Sequence, residues 1–403
     1  MRDDRLADWC PTADFAMIRP PRGKGFRMQG KARQFLLALT AILLSIFGTL
    51  VAAEIVLRFL PVNEGLRAQA VNAANPVFRF EPNRTAVWSE GWNFEVVNHV
   101  HVNNDGFIND RDYDATATTP LLAVIGDSYI EAGMIPFAQT VGGRLQTDLG
   151  NRARVYTFAA SGAGLTQYLV WADYARRTYH PDAFIINVIA NDFDESLWHR
   201  GQSPGFHHFQ RMPDDTAVLR RVDYDPSFWR LLLRRSALVM YLVTNMKVQQ
   251  VLHFSVQSLG SKDKRWSSNI PYESSEAAFA DYRWAVDRFL DALPAATGVG
   301  SDRIALVFDG LRPDLYDPAL LPDATRGTWG VMRAYVMEQA QQRGIATVDL
   351  QPVFAADYAR EGRHFEFPHD GHWNALGHRL ATEEIEKTPA YRRFIETPPA
   401  RAP

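Results

Sequence analysis

Short apolar segments alternate with amphipathic ones from residue 121 onward. The apolar segments are typical of strands buried on both faces of a sheet, and they lie at residues 121–125, 155–158, 183–189, 303–308 and 345–350. Apolar residues at helical spacing fall between them, at residues 139–149, 165–179, 275–293 and 328–343. The alternation predicts an α/β domain at residues 120–388, a parallel sheet with crossover helices, followed by a C-terminal tail at residues 389–403.

A long segment, residues 193–272, interrupts this alternation. It is rich in aromatic residues, among them Trp198, Phe206 and Trp229, and it holds an apolar stretch at residues 231–243. Arg234 and Arg235 interrupt that stretch, which argues against a second membrane span. We expect a helical insertion that packs over one edge of the sheet.

Turn-forming residues punctuate residues 60–119 and separate short valine-rich and aromatic pieces. Asp105 and Gly106, between Val102 and Phe107, give a hairpin-like signal. We expect a small β-rich lead-in that packs on the main domain, with a simple stalk as the alternative.

The N-terminal part of the chain carries a membrane signal. Six basic residues and no acidic one lie between positions 15 and 34, and residues 35–53 carry no charge. At about 1.5 Å per residue, such a helix matches a hydrocarbon core of roughly 30 Å, and the basic flank favours the cytoplasmic side. The pattern predicts a cytoplasmic tail at residues 1–34, a single-pass anchor at residues 35–59 in the cell inner membrane, and a periplasmic or otherwise extracytoplasmic domain. A signal peptide cleaved after residues 51–53 is the alternative, although its apolar region usually spans about 7 to 15 residues.

Composition narrows the function classes. A net charge of -3 and a pI near 6.4, without a basic stripe, argue against a nucleic-acid partner. The single cysteine, Cys10, excludes an internal disulfide and a cysteine-based metal cluster. His207 and His208 would point to opposite faces of an extended segment, and no carboxylate spacing completes a site, so we predict no metal and no cofactor.

Four segments offer the parts that a serine nucleophile needs: the hydroxyl, a base, a group that orients the base, and donors for an oxyanion. They are Gly126-Asp127-Ser128 after the first predicted strand, Ser161-Gly162 after the second, Asn191-Asp192 after the third, and Asp370-Gly371-His372-Trp373 before the final helix. Because the carboxyl ends of parallel strands border one crevice, we expect the first three segments to meet there.

This order of motifs resembles the SGNH or GDSL hydrolase superfamily, from residue 121 to about residue 388, and residues 103–107 look like a feature of its membrane-anchored members. The resemblance implies a three-layer α/β/α fold with a five-stranded, flavodoxin-like parallel sheet. It also implies that Ser128 is the nucleophile, His372 the general base and Asp370 its orienting carboxylate. The N–H groups of Ser128 and Gly162 and the side-chain amide of Asn191 would form the oxyanion hole.

The spacing of the last motif departs from the superfamily. Asp370 and His372 have one residue between them, where two are more common, and the shorter spacing is similar to that of acyl-transferring relatives. His364, His369 and His378 are rival candidates for the base. Trp373 is expected to pack over the histidine loop, with a sugar platform as the alternative.

Three functional hypotheses follow. The first is an ester hydrolase that acts through an acyl-enzyme on an ester-bearing glycan, lipid or small molecule outside the cytoplasm. The second is an O-acyltransferase, such as an O-acetyltransferase, that modifies a cell-surface or secreted polysaccharide. The third is a non-catalytic binding or assembly module that uses residues 193–272 to contact a partner. The sequence leaves the oligomeric state open.

Overall fold

The structure of the 403-residue chain is a computed structural model, and it describes residues 25–248, 266–267, 270–312 and 314–396. Most of the predicted cytoplasmic tail, including Cys10, lies outside the described residues. The chain divides into two compact units, Met1–Ile55 and Val56–Pro403.

The described elements are numbered in chain order. The strands are β1 (Arg84–Glu90), β2 (Val96–Val102), β3 (Leu121–Gly126), β4 (Arg154–Ala159), β5 (Ala183–Val188), β6 (His207–Arg211), β7 (Ala217–Arg221), β8 (Trp266–Ser267), β9 (Ile270–Pro271), β10 (Ile304–Phe308), β11 (Ala346–Asp349), β12 (Glu366–Phe367) and β13 (Asp370–Trp373). The helices are α1 (Gly25–Leu57), α2 (Ser128–Glu131), α3 (Val141–Leu149), α4 (Leu165–Tyr179), α5 (Asp192–Glu195), α6 (Phe228–Leu233), α7 (Ala237–Met240), α8 (Glu276–Thr297), α9 (Leu321–Arg326), α10 (Thr328–Gln342), α11 (Leu350–Glu361), α12 (Ala375–Ile385) and α13 (Pro389–Glu396). Short 3-10 turns lie at Phe137–Gln139, Ser301–Arg303 and Asp314–Tyr316, and a π-helix lies at Tyr241–Asn245.

The first unit contains most of α1, a helix of 33 residues. Its part from Gly30 to Leu57 holds a stretch of 18 residues with a mean hydropathy of 2.5 and exposed side chains, and among the described residues it is the one helix long and apolar enough to cross a membrane. Length and composition of this kind suit a membrane span or a signal sequence. The helix begins ten residues before the predicted span, because Lys31, Arg33 and their neighbours in the basic flank are compatible with helix.

The predicted five-stranded parallel sheet is confirmed. Its order is β11-β10-β5-β3-β4, and every neighbouring pair runs parallel. This is the flavodoxin-like order, in which the chain starts at β3, adds β4 on one side, and then adds β5, β10 and β11 on the other side. The switch point lies between β3 and β5, so the residues that follow β3, β4 and β5 border one crevice.

Helices cover both faces of the sheet. Along β3, Leu121, Ala123 and Ile125 point into one apolar cluster, and Leu122 and Val124 point into the other, as the two-residue period of a strand requires. The first cluster is completed by α4, α8 and α10, and the second by α3, α11 and α12. The predicted α/β/α layering is therefore confirmed.

The lead-in segment contains an antiparallel hairpin of β1 and β2, paired from Arg84 with Val102 to Glu90 with Val96. The Asp105-Gly106 signal marks a second, tighter reversal, where a single antiparallel bridge joins Val102 to Ile108. Apolar side chains of this segment, such as Val100 and Phe107, belong to the same cluster as α4. The hairpin is therefore part of the packed unit.

The insertion at residues 193–272 is not wholly helical, and the prediction is wrong in this respect. The strands β6 and β7 form an antiparallel hairpin, paired from His207 with Arg221 to Arg211 with Ala217. The chain reverses at Pro213-Asp214-Asp215, where Asp215 takes a positive φ of 66°, and Pro with Asp is a turn signal. Residues 249–265 of the insertion lie outside the described residues.

The predicted C-terminal tail is also corrected, because residues 389–396 form α13. Pro389 opens this helix, a position where its missing N–H costs nothing. Ala390, Tyr391 and Phe394 are buried in the cluster on the α3 side of the sheet. Residues 397–403 lie outside the described residues.

Candidate active site

Ser128 lies where β3 ends and α2 begins. The Asp127 carboxylate caps α2 by accepting a hydrogen bond from the N–H of Tyr129 at 3.0 Å. Gly126 makes the close turn possible, because a Cβ at this position would lie only 2.4 Å from Cγ1 of Ile130. Ser128 itself is half-buried, at the carboxyl end of β3, an inner strand of the sheet.

Ser128, His372 and Asp370 form one chain of hydrogen bonds. The Ser128 Oγ lies 2.7 Å from Nε2 of His372, and the His372 Nδ1 bonds to Oδ1 of Asp370. The same Asp370 oxygen accepts the main-chain N–H of His372 at 2.8 Å. The short spacing is explained by β13, because residues two apart on a strand share a face.

Hydrogen bonds from three buried side chains hold β13 in place. The Arg312 guanidinium and the Tyr129 hydroxyl both donate to the Gly371 carbonyl, each at 3.1 Å. The indole N–H of Trp373 donates to Asp309 at 2.9 Å. Trp373 is fully buried against the Tyr129 ring, so its own ring offers no platform for a sugar.

The electrostatic surroundings of His372 favour its protonated form. Burial lowers the pKa of His372. The hydrogen bond and negative charge of Asp370, together with the charges of Asp127 and Glu131, outweigh burial and raise this pKa above its usual value. Ser128 Oγ also donates to Asp127 Oδ2 at 3.1 Å. When His372 is protonated, its Nε2–H donates to Oγ and the hydroxyl turns to Asp127. When His372 is neutral, the hydroxyl can donate to Nε2 instead.

The two other predicted oxyanion donors lie beside one carboxyl group, that of Glu195. The side-chain amide of Asn191 donates to Glu195 Oε2 at 2.8 Å. Gly162 has a positive φ of 82°, and a Cβ added there would come 4.0 Å from Glu195 Oε1. Burial, followed by the charge of Asp127, raises the pKa of Glu195 to about 8. Near neutral pH this carboxyl is therefore largely uncharged, which suits a place next to a developing oxyanion.

Glu131 fixes the loop that carries Gly162. Its carboxylate, at the end of α2, accepts the N–H of Ser161 at 2.5 Å. Burial raises the pKa of Glu131 to about 7. The contact ties the Ser128 helix to the turn after β4.

A further carboxyl group, that of Glu90, lies beside Asp370. Glu90 is the last residue of β1, pairs with Lys247, and lies close enough to Asp370 for each carboxyl group to shift the pKa of the other. Burial, followed by the effect of Asp370, raises the pKa of Glu90 to about 7. Burial also acts to raise the pKa of Asp370, but the hydrogen bond and charge of His372 outweigh burial and lower this pKa. Both carboxyl groups border a cavity of about 470 Å³, whose other walls are residues 91–93, 95–96, 245–246 and 367–369.

The other candidate histidines have partners other than Ser128. The rings of His364 and His369 are more than half exposed and face Glu366 at 3.2 Å and Glu95 at 3.9 Å. His378 is buried, and its Nδ1 accepts the N–H of Val141 at 3.3 Å. Burial lowers the pKa of His378 to about 3. Among these histidines and His372, it is His372 that is hydrogen-bonded to Ser128.

The sequence reasoning missed Glu90, Glu131 and Glu195. A signal existed for two of them, because Glu131 follows Ser128 by three residues and Glu195 follows Asn191 by four, the spacing at which side chains share one side of a helix. Glu90 had no such signal, since β1 lies far from Asp370 in the sequence. Among the described residues, no group of three or more His, Cys, Asp or Glu is arranged to hold a metal ion.

No family model and no curated protein matches the chain. Similar solved structures include TesA, at 13% identity and a TM-score of 0.35, where the match covers 68% of this chain and 99% of that chain. They also include a lipase/acylhydrolase from Enterococcus faecalis, at 11% identity and a TM-score of 0.35, covering 70% and 100% of the two chains. A third is a member of the lipolytic protein G-D-S-L family from Veillonella parvula, at 12% identity and a TM-score of 0.31, covering 66% and 96%. Similarity at this level assigns no residue role, so the roles below rest on the geometry of this chain.

Proposed function

We propose that this chain is a membrane-anchored serine ester hydrolase with its active site outside the cytoplasm. One observation carries the proposal: Ser128 Oγ lies 2.7 Å from His372 Nε2, and His372 Nδ1 bonds to Asp370. A hydroxyl, an imidazole and a carboxylate in this order are what a serine nucleophile requires.

In the first half-reaction, His372 Nε2 takes the proton of Ser128 while Oγ attacks the carbonyl carbon of the ester. The carbonyl electron pair moves to its oxygen, which the N–H groups of Ser128 and Gly162 and the amide of Asn191 stabilise. The intermediate then expels the alcohol, which receives the proton from His372. The acyl group stays on Oγ, and Asp370 remains ionised and stabilises the imidazolium.

In the second half-reaction, water replaces the alcohol. His372 takes a proton from the water as it attacks the acyl-enzyme, and the carboxylic acid leaves when the proton returns to Ser128 Oγ. If the hydroxyl of a glycan attacks instead of water, the same steps transfer the acyl group. Hydrolysis is our first choice, because it needs no second substrate.

The proposed location rests on α1 and on the basic residues of its first turns. Its uncharged part, residues 35–53, is longer than the apolar region of an ordinary signal peptide. Leu57, its last residue, packs against Val62 and Met240. We therefore favour an uncleaved single-pass anchor in the cell inner membrane over a cleaved signal. Substrates would then be esters on exported glycans, lipids or small molecules.

The test uses the full chain purified in detergent. We expect it to hydrolyse p-nitrophenyl acetate or butyrate and to be labelled by a fluorophosphonate, and we expect Ser128→Ala to lose both. The matched control is Ser203→Ala, at a half-buried serine of the insertion, which should keep both. A folded Ser128→Ala protein that retains turnover would refute the proposal. Adding an oligosaccharide acceptor and quantifying acylated glycan against free acid separates transfer from hydrolysis.

A further inference from the structure

Helix α6 exposes a run of large apolar side chains. Phe228 and Trp229 are 69% and 68% exposed, and Leu231, Leu232 and Leu233 are 43%, 43% and 51% exposed. These five residues are called the α6 surface. An apolar surface of this kind on a water-soluble domain usually marks a contact with a partner or a membrane.

The α6 surface lies close to the point where the chain leaves α1. Arg58 follows Leu57, the last residue of α1, and its guanidinium donates to the carbonyl of Arg235 at 3.0 Å, two residues after α6. Leu57 and Val62 pack with Met240 of α7. All of these residues belong to the second unit, Val56–Pro403, so the contacts lie within it.

The neighbouring residues have the character of a membrane interface. Phe59 and Leu60, directly after α1, are also exposed, at 85% and 42%. Arg230, within α6, and Arg235, after it, are exposed basic residues. Aromatic and aliphatic side chains beside arginine are the composition of segments that lie at the boundary of headgroups and acyl chains, where the arginines meet lipid phosphates.

We propose that the α6 surface lies in the headgroup region of the same bilayer that α1 crosses. The inference rests on the proposed anchor, and continuity with α1 is the reason to prefer lipid over another protein as the occupant. Phe228, Trp229 and the three leucines are then shielded from water by acyl chains, and Arg230 and Arg235 pair with anionic headgroups. The catalytic unit is thereby held against the membrane by a second contact besides the anchor.

The experiment places a fluorescent label on α6 in the full chain. Trp229→Cys is made in a Cys10→Ser background, labelled with an NBD probe, and reconstituted in vesicles of phosphatidylcholine and phosphatidylglycerol. The matched control is Ile395→Cys in the same background, because Ile395 is also an exposed apolar residue on a helix. Circular dichroism and thermal melting verify that both variants fold.

Quenching by lipids that carry a shallow nitroxide should be at least about twofold stronger at position 229 than at position 395, as expected for an interfacial helix. Iodide in the water should show the opposite order. Equal lipid quenching at the two positions would overturn the inference. Protection of position 229 from iodide without lipid quenching would overturn it too, because a protein, such as a second copy of this chain, would then cover α6.

Flotation of the same vesicles tests the proposed anchor independently of the α6 inference. A chain that does not float with lipid disproves the anchor, and the α6 inference falls with it. A chain that floats but shows no preferential quenching at position 229 disproves the α6 inference alone.

Discussion

Replacing Asp370 with alanine measures what the carboxylate contributes to His372. Asp370 Oδ1 accepts two hydrogen bonds from His372, one from Nδ1 and one from the main-chain N–H at 2.8 Å. Hydrogen bonds to a charged group contribute about 1.5 to 3 kcal/mol each, so two contribute about 3 to 6 kcal/mol. At about 1.4 kcal/mol per factor of ten, we expect kcat to fall by about 10²- to 10⁴-fold.

The same substitution should move the pH dependence of the residual activity. The general base must be neutral, so activity is lost as the pH falls through the pKa of His372. Asp370 is the main group that raises this pKa, against the effect of burial. Without it, burial dominates and the pKa falls, so the acid limb of the pH profile should shift to lower pH.

The assay is the pH dependence of kcat and kcat/KM for a p-nitrophenyl ester, from about pH 5 to 9, with the full chain in detergent. His364→Gln is the matched control, because its exposed ring also pairs with a carboxylate, Glu366, at 3.2 Å, away from Ser128. A loss smaller than tenfold in a folded Asp370→Ala protein would refute the reasoning, as would an acid limb that stays in place.

Substitutions at four other positions give further tests. Asn191→Ala removes one proposed oxyanion donor, so kcat should fall by about 10²- to 10³-fold with KM little changed in steady-state kinetics. As the pH rises through about 8, Glu195 ionises beside Asn191 and opposes the oxyanion. Activity should therefore decline at alkaline pH, and Glu195→Gln, which stays neutral, should abolish this decline in the pH profile. Gly162→Ala forces a side chain into a positive φ of 82°, which costs about 1 to 2 kcal/mol and should lower the melting temperature. Glu90→Ala removes the carboxyl group beside Asp370 and should lower kcat about tenfold, whereas Glu90→Gln, whose amide has the same size and can donate to Asp370, should retain most of the activity.

The sheet and its helices were predictable because their sequence signals are local. Each strand is a short apolar run, and α4 lies at the predicted residues 165–179. The placement of Ser128 and Asn191 at the same edge of the sheet follows from topology, since they come shortly after the neighbouring strands β3 and β5. His372 was singled out by the order of motifs, and its contact with Ser128 needed the fold of the chain around β13.

The remaining parts depend on tertiary contacts that leave no pattern in the sequence. Glu90 meets Asp370 across a large sequence separation, and only the packing of the lead-in hairpin brings them together. The β6–β7 hairpin lacks a long alternating run, so the sequence of this aromatic-rich segment predicts helix where the structure has strands. In α13, the burial of Tyr391 and Phe394 overrides a polar composition that is typical of a tail.

The chain enters the catalytic unit without a spacer. Arg58 is bonded to Arg235, Val62 packs on Met240, and the N–H of Asn63 donates to Asn245 at 2.9 Å. A flexible linker would let an enzyme sample a volume that grows with linker length. Residues 58–63 are instead held by contacts within the unit Val56–Pro403, so they do not act as a flexible tether. On the proposed anchor, such an enzyme would meet esters carried by lipids through lateral diffusion in two dimensions.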